Sequence, residues 1–463
     1  MDAATTRINN VLAFSSGGRK MNKASSTQLA WLNTRPENLV LYASSRSFCS
    51  SFSISIQQKG LKPNSRSSTI LSPTHCSTKP GIGSDNATNM NPASIELDSN
   101  STAQQPPTPL PNQPLSSTFS RGLVLDLGPK YSWDSAEIGS PVVKRYIGDD
   151  EERWYMWYHG RSDDSDSIGL AVSSNGIHWA RGVGPVQSSR DVGLVMNSRE
   201  DWWALDTKSI RPSDLVIMSS PMYSAVYWLY YTGFTSEEVH LDLPENPKIF
   251  KSLPGLACSQ DGRHWARIEG DHHSGALFDV GSGTEWDSLF IASPQVVMHS
   301  NDDFRMYYHS FDAENKHYGI GIARSRDGIR WVKMGKILQG GPKGCFDEIG
   351  VMNAHVVRNP KLGNYFMAYE GVGADGETSI GIAVSPDGLK NWVRLQDDAV
   401  LKPSEEDGWD NKRVGSPCLV QMESYSWRLY YQGIGQTNKP GIGMAVSQGT
   451  EIRSFRRWES FHL

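Results

Sequence analysis

The sequence predicts an all-β chain: a five-bladed β-propeller of four-stranded antiparallel blades, its ring closed by pairing of the N- and C-terminal strands. Three observations predict it. One unit recurs five times across residues 120–463; the units alternate in period two with β-branched and aromatic residues; and Asn-Gly or Asp-Gly turns punctuate four of them. Repeats of about this size form arrays or propellers, in which radial repetition protects short sheet edges. No helical periodicity interrupts them.

Each unit opens on a ring followed by an acid: Trp133-Asp134, Trp286-Asp287, Phe346-Asp347 and Trp409-Asp410, with Trp203 opening an imperfect second copy. Seven residues later comes Ser140-Pro141, Ser293-Pro294 or Ser416-Pro417, each leading an apolar run; copy two has Arg211-Pro212 and copy four Asn353-Ala354-His355. These runs are the expected inner strands. A second strand ends in Tyr-x-Gly or a variant, at Tyr158, Tyr231, Tyr308, Tyr369 and Tyr431. A third resembles Gly-Ile-x-Ala-x-Ser. The turns Asn175-Gly176, Asp261-Gly262, Asp327-Gly328 and Asp387-Gly388 supply the positive φ that tight turns need, and lead to Trp179, Trp265, Trp331 and Trp392. Those tryptophans are expected to pack between blades. The segment Gly122 to Asp126 is expected beside Met444 to Val446, completing the last blade. An insertion from Thr235 to Pro254 in blade two is expected to rise over the channel mouth as a rim or lid.

The first 80 residues differ in kind. They carry ten Lys or Arg against two acids and are rich in Ser, the composition of an organelle transit peptide. A chloroplast is the expected destination, a mitochondrion the alternative. Residues 81–119 are Pro- and Ser-rich and are expected to be a linker. Removing residues 1–80 takes eight net positive charges from a chain of formal charge −5 and leaves −13. An acidic product argues against nucleic-acid binding, which relies on neutralising Lys and Arg. No stretch is apolar enough for a membrane span. The cysteines have no metal-ligand spacing, so neither a metal nor another cofactor is expected.

In a propeller, chemistry is expected where inner strands converge. Comparing copy with copy isolates positions that stay polar but differ. The middle residue of Tyr-x-Gly is His159, Thr232, His309, Glu370 and Gln432 in turn. These residues would line a shared funnel or stand at solvated strand ends. The broken Ser-Pro motifs offer Asp206, Lys208 and Arg211, then Asn353 and His355; charged groups there need partners or channel water. An ion pair of Asp206 with Lys208 or Arg211 is the competing reading. Glu137 and Glu348 follow the opening ring by four and two residues. Glycoside hydrolysis needs one neutral and one ionised carboxyl, and Glu137, Asp206, Glu348 and Glu370 are the available set.

These features together resemble the five-bladed propeller superfamily of arabinanases, levansucrases and invertases, comprising glycoside hydrolase families 32, 43, 62 and 68. The resemblance covers about residues 120–460 and implies three catalytic acids in the central funnel, two just before an inner-strand proline. This chain departs from it: Ser140 and Arg211 precede proline, and Ala292 stands where the family's Glu, two residues before proline, would fall.

Two functions follow as expectations. In one, the protein is a plastid glycoside hydrolase or related carbohydrate-active enzyme. Its acids come from the four above; Arg211, His309 and His355 orient sugar hydroxyls, and Trp157 or Trp203 stacks on the ring. In the other, it is a catalytically inactive propeller that binds a glycan, metabolite or protein through the same face.

Overall fold

The computed structural model describes residues 121–459 apart from 148–151, 221–222, 242–247, 301, 360, 406 and 424, together with two short strands, Leu39–Ala43 and Phe52–Ile56. The expected leader and linker otherwise lie outside the described residues. Among those described there is no helix. The chain is all-β and almost wholly antiparallel.

Five units follow one another. Their first strands are Glu137–Ile147, Ser209–Ser220, Ala292–Ser300, Gly350–Arg358 and Arg413–Gln421. Each pairs with the Tyr-x-Gly strand, which pairs with the third strand, which carries the turn. Hydrogen bonding groups the strands into three sheets, and none closes on itself. Units three, four and five share one sheet through single parallel bridges, Tyr318 with Gly350 and Thr378 with Arg413. The fourth strand of the last unit is composite. Glu451–Arg457 pairs with one part of Pro440–Gln448, and Leu123–Leu125 with another.

The repeated residues explain themselves once placed. In the first turn Ser173 Oγ accepts the Gly176 amide at 2.9 Å, and Asn175 Oδ1 accepts the two amides beyond it. Gly176 has φ +72°, where a side chain is strained, and the other three turns repeat this geometry. The turns also latch neighbours. Trp157 of unit one donates to Gly262 O of unit two, Tyr230 to Gly328 O, Tyr307 to Gly388 O, and Tyr430 of unit five to Gly176 O of unit one. The tryptophan after each turn meets the same aromatic residue edge-on, at 5.9–6.5 Å between centroids.

The acid after the opening ring has one role in all five units. Asp134, Asp206, Asp287, Asp347 and Asp410 are buried, and each accepts the hydroxyl of its unit's Tyr-x-Gly tyrosine. Each is also paired to a cation: Arg181, Arg267, Lys333, Arg394 and Arg457 respectively. The second unit therefore opens on Leu205-Asp206, not on Trp203.

The insertion in unit two extends the hairpin of Tyr223–His240 and Lys248–Ser259. Val239 and Leu241 bury themselves against Phe290, Ala292 and Phe311 of unit three. The hairpin thus covers the start of one first strand and leaves the starts of those in units one and five uncovered by this cluster.

Candidate functional site

The first strands are bent by a common device. Ser140, Ser293, Asn353 and Ser416 have φ of +46° to +52°, in the left-handed region that non-glycine residues seldom adopt. Ladder pairing skips two residues there, as between Gly139–His159 and Val142–Trp157. Unit two differs: Arg211 itself pairs with Thr232, Pro212 with Tyr231, and Ser213 is the extra residue. Arg211 is thereby set at the start of the bend, where the other units have Gly139, Ala292, Met352 and Gly415.

Four of the five Tyr-x-Gly middle residues tie units together. Thr232 Oγ1 accepts the Ser293 amide at 2.9 Å, His309 Nδ1 the Asn353 amide at 3.3 Å, and Glu370 Oε2 the Ser416 amide at 2.8 Å. Gln432 Nε2 donates to Ile138 O at 3.0 Å, so the fifth unit ties to the first in the same way. Gly415 is required for this approach, because a Cβ there would collide with the Glu370 carboxylate. His309 is buried and burial lowers its pKa to about 3. Asn353 also donates to Glu370 Oε2 at 2.8 Å and receives Ser293 Oγ–H at 2.7 Å.

Burial raises the Glu370 carboxyl above its ordinary value of 4.5 despite the bonds from Asn353 and Ser416. The folded state therefore binds its proton more tightly than the unfolded chain does. Its contribution to stability is complete below 4.5 and is lost as pH rises through the raised folded value. Glu370→Gln keeps an acceptor for Ser416. Thermal unfolding across pH should show this variant losing less stability than wild type above that window; an unchanged slope would contradict the assignment.

Unit one supplies a charged cluster. Glu137 is bridged by Arg161 and lies 3.6 Å from Arg211 Nη2. Arg211 Nε donates to Asp166 Oδ2 at 2.6 Å, and Arg161 Nε lies 3.7 Å from Asp166 Oδ1. Burial works to raise the Asp166 carboxyl, but Arg211 and Arg161 outweigh it and hold it below the ordinary range. Beneath sits His159, fully buried, its Nε2 3.5 Å from Glu137 and neither ring nitrogen hydrogen-bonded; burial and Arg211 lower it to about 3. Glu137 and Arg161 face Lys412, Arg413 and Asn438 of unit five across an open cleft of about 230 Å³.

The other expected site residues fall elsewhere. Asp206 is sealed between Arg199 and Arg267, at 3.0 and 2.6 Å, and pairs with neither Lys208 nor Arg211. Glu348 accepts the Gly344 amide at 2.7 Å and so caps its own loop. Lys208 lies over the Phe250 ring of the insertion, and Trp203 stacks on Arg199. Trp157 is fully buried and faces no ligand space.

His355 belongs to a belt deeper along the first strands. One residue per unit occupies this register: Val142, Asp214, Gln295, His355 and Cys418. Asp214 accepts Lys144 Nζ at 2.8 Å and Gln295 Nε2 at 2.9 Å, and Gln295 Oε1 accepts the Val356 amide at 3.1 Å. His355 Nδ1 accepts the Leu419 amide at 3.2 Å, its Nε2 lies 3.6 Å from Cys418 Sγ, and that sulfur accepts the Val143 amide. Burial lowers His355 to about 4 and raises the thiol to about 11. Lys144, Asp214 and Gln295 were not singled out from the sequence. For Asp214 and Gln295 the signal was present, since the belt position is different in every copy; Lys144 stands two residues beyond it, where the other copies have Val216, Val297, Val357 and Val420. Among the described residues, no group of three His, Cys, Asp or Glu is placed to hold a metal ion.

This architecture defines a class: the chain has a glycoside-hydrolase-like fold. A solved glycoside hydrolase superposes with a TM-score of 0.51 at 17% identity, covering 72% of this chain and 93% of that one. A glycosyl hydrolase from Bacteroides ovatus gives 0.50 at 16% identity over 70% of this chain and 91% of its own. In sequence, the chain is similar to two proteins of Mycobacterium tuberculosis. Uncharacterized protein Rv1502 (strain ATCC 25618 / H37Rv) is 29% identical over 228 residues, and uncharacterized protein MT1551 (strain CDC 1551 / Oshkosh) is 29% identical over 231. Each match covers 47% of this chain and 66% of the relative's length. No protein-family model matches.

Proposed function

We propose that this protein is a carbohydrate-active five-bladed propeller of the arabinanase, levansucrase and invertase type, acting on a glycan at the mouth where its first strands begin. The units are its blades. Ring closure is supported by the pairing of Leu123–Leu125 with Pro440–Gln448 and by the bond from Gln432 to Ile138. One observation carries the functional reading: the cleft beside Glu137, which joins a carboxylate reachable from solvent to the start of the first strands, on a fold shared with glycoside hydrolases.

Of the four acids, Glu137 and Glu370 fit catalysis best. Glu370 is the carboxyl that burial favours in its neutral form, the state a general acid needs. Glu137 is the partner, held by Arg161 and Arg211. Asp206 and Glu348 are assigned to structure. A basic, Ser-rich leader supports import into a chloroplast, with a mitochondrion as the alternative; a fluorescent fusion would test it.

The test is product release by the full chain from a panel of pentose and fructose oligosaccharides. Glu137→Gln should lower turnover by about 10²–10⁴-fold while binding persists. A second reading, binding without hydrolysis, is favoured by the commitment of Glu137 to two guanidinium groups. It is the conclusion if wild type binds and releases nothing. No binding of any glycan would overturn both.

A further inference from the structure

We infer that the cleft between the first and fifth units selects an anionic saccharide, one bearing a carboxylate or a phosphate that Arg413 and Lys412 receive. The inference rests on the mouth being a carbohydrate site and adds the charge of its ligand.

The argument is one of unmatched charge. On the unit-one wall, Glu137 and Asp166 are each shared by Arg161 and Arg211, two carboxylates for two guanidinium groups. That side is balanced. On the facing wall, Lys412 and Arg413 are exposed, and neither makes an ion pair among the described residues. Lys412 Nζ donates to Asn438 Oδ1 at 2.9 Å, a neutral partner that leaves the ammonium uncompensated. The Arg413 charge acts on the nearby buried acid, Glu370, but the two form no ion pair: the Glu370 carboxyl is bonded to Asn353 Nδ2 and the Ser416 amide, and burial favours its neutral form.

Sequence makes the placement firm. Arg413 opens a first strand, where its backbone pairs with Ile434 and bridges Thr378, so its position is fixed by sheet register rather than by a loop. An anion entering there would meet Arg413 and Lys412 on one wall and the charge-balanced Glu137–Arg161 pair on the other. A guanidinium binds carboxylate or phosphate through two parallel donors, and such bonds are about twice as strong as neutral ones. A neutral sugar would leave the excess charge unanswered.

Isothermal titration of the full chain with glucuronate, glucose 6-phosphate, glucose and inorganic phosphate at fixed ionic strength tests this. Glucuronate or glucose 6-phosphate should bind roughly tenfold or more tightly than glucose, and the tighter of the two identifies the anionic group. Arg413→Gln with Lys412→Gln should abolish that preference while the unfolding midpoint stays near wild type. Equal affinity for glucose, or a preference that survives both substitutions, overturns the inference and leaves the carbohydrate reading standing. Inorganic phosphate binding in an Arg413-dependent way, with no saccharide bound, overturns the inference, and so does failure of every probe to bind; the carbohydrate reading itself stands or falls on the oligosaccharide panel.

Discussion

Asp206→Ala should cost the protein about 3–5 kcal/mol of stability and leave ligand affinity at the mouth unchanged under conditions where the variant stays folded. The side chain is fully buried and takes three donors: Arg199 Nε, Arg267 Nε and the Tyr231 hydroxyl. Truncation leaves two partly buried guanidinium groups without their counter-charge and a buried phenol without an acceptor. Removing one partner of a buried ion pair is far more damaging than replacing the whole set by apolar groups. The same aspartate recurs in all five units, so Asp410→Ala, which strands Arg457 and Tyr431, should behave alike. Chemical denaturation of both variants checks this. If Asp206→Ala unfolded at the wild-type midpoint but lost turnover, Asp206 would be a catalytic acid after all.

Asp214→Ala should be as costly, again by about 3–5 kcal/mol, for a different reason. Asp214 sits where the first strands crowd together, and its two oxygens hold Lys144 of unit one and Gln295 and the Val296 amide of unit three. It is the only carboxylate among the five residues at that register. Alanine removes the buried counter-charge of the Lys144 ammonium and the acceptor of the Val296 amide. Asp214→Asn, which preserves shape but removes the charge opposite Lys144, should fall between alanine and wild type. Unfolding midpoints in that order support the belt as a stabilising network; equal midpoints for all three proteins would refute it.

The fold was legible because its signals are local. A Ser-x-Asn-Gly turn specifies its own hydrogen bonds within four residues, and Trp179 follows at a fixed offset wherever the turn occurs. The site was less legible because its geometry is set between units. Nothing in Tyr-Glu-Gly says that Glu370 will reach across to the Ser416 amide, since that contact depends on the next unit's bend. Asp206 was singled out, but as a candidate acid of the site, and its equivalence to Asp134, Asp287, Asp347 and Asp410 was hidden. Its preceding residue is Leu205, so the exposed Trp203 two residues earlier drew the match and displaced the register. The extra Ser213 had the same effect on the belt: it moves Asp214 one place from where Pro212 suggests, and the alignment with Gln295 and Cys418 disappears from view. Arg211, Asn353 and His355 were found because they break a repeated motif; Arg413 was not, because every unit begins its first strand differently.

The belt has one more consequence, for traffic. Asp214, Gln295, His355 and Cys418 are at most 8% exposed, and they bridge the first strands of successive units. These side chains fill the space between the first strands below the level of Glu370 and Ser416. On the proposed function, a glycan that entered beside Glu137 would find no path deeper along the first strands and would leave the way it came. Arrival and departure would then compete for one doorway, and a product that lingered there would delay its successor.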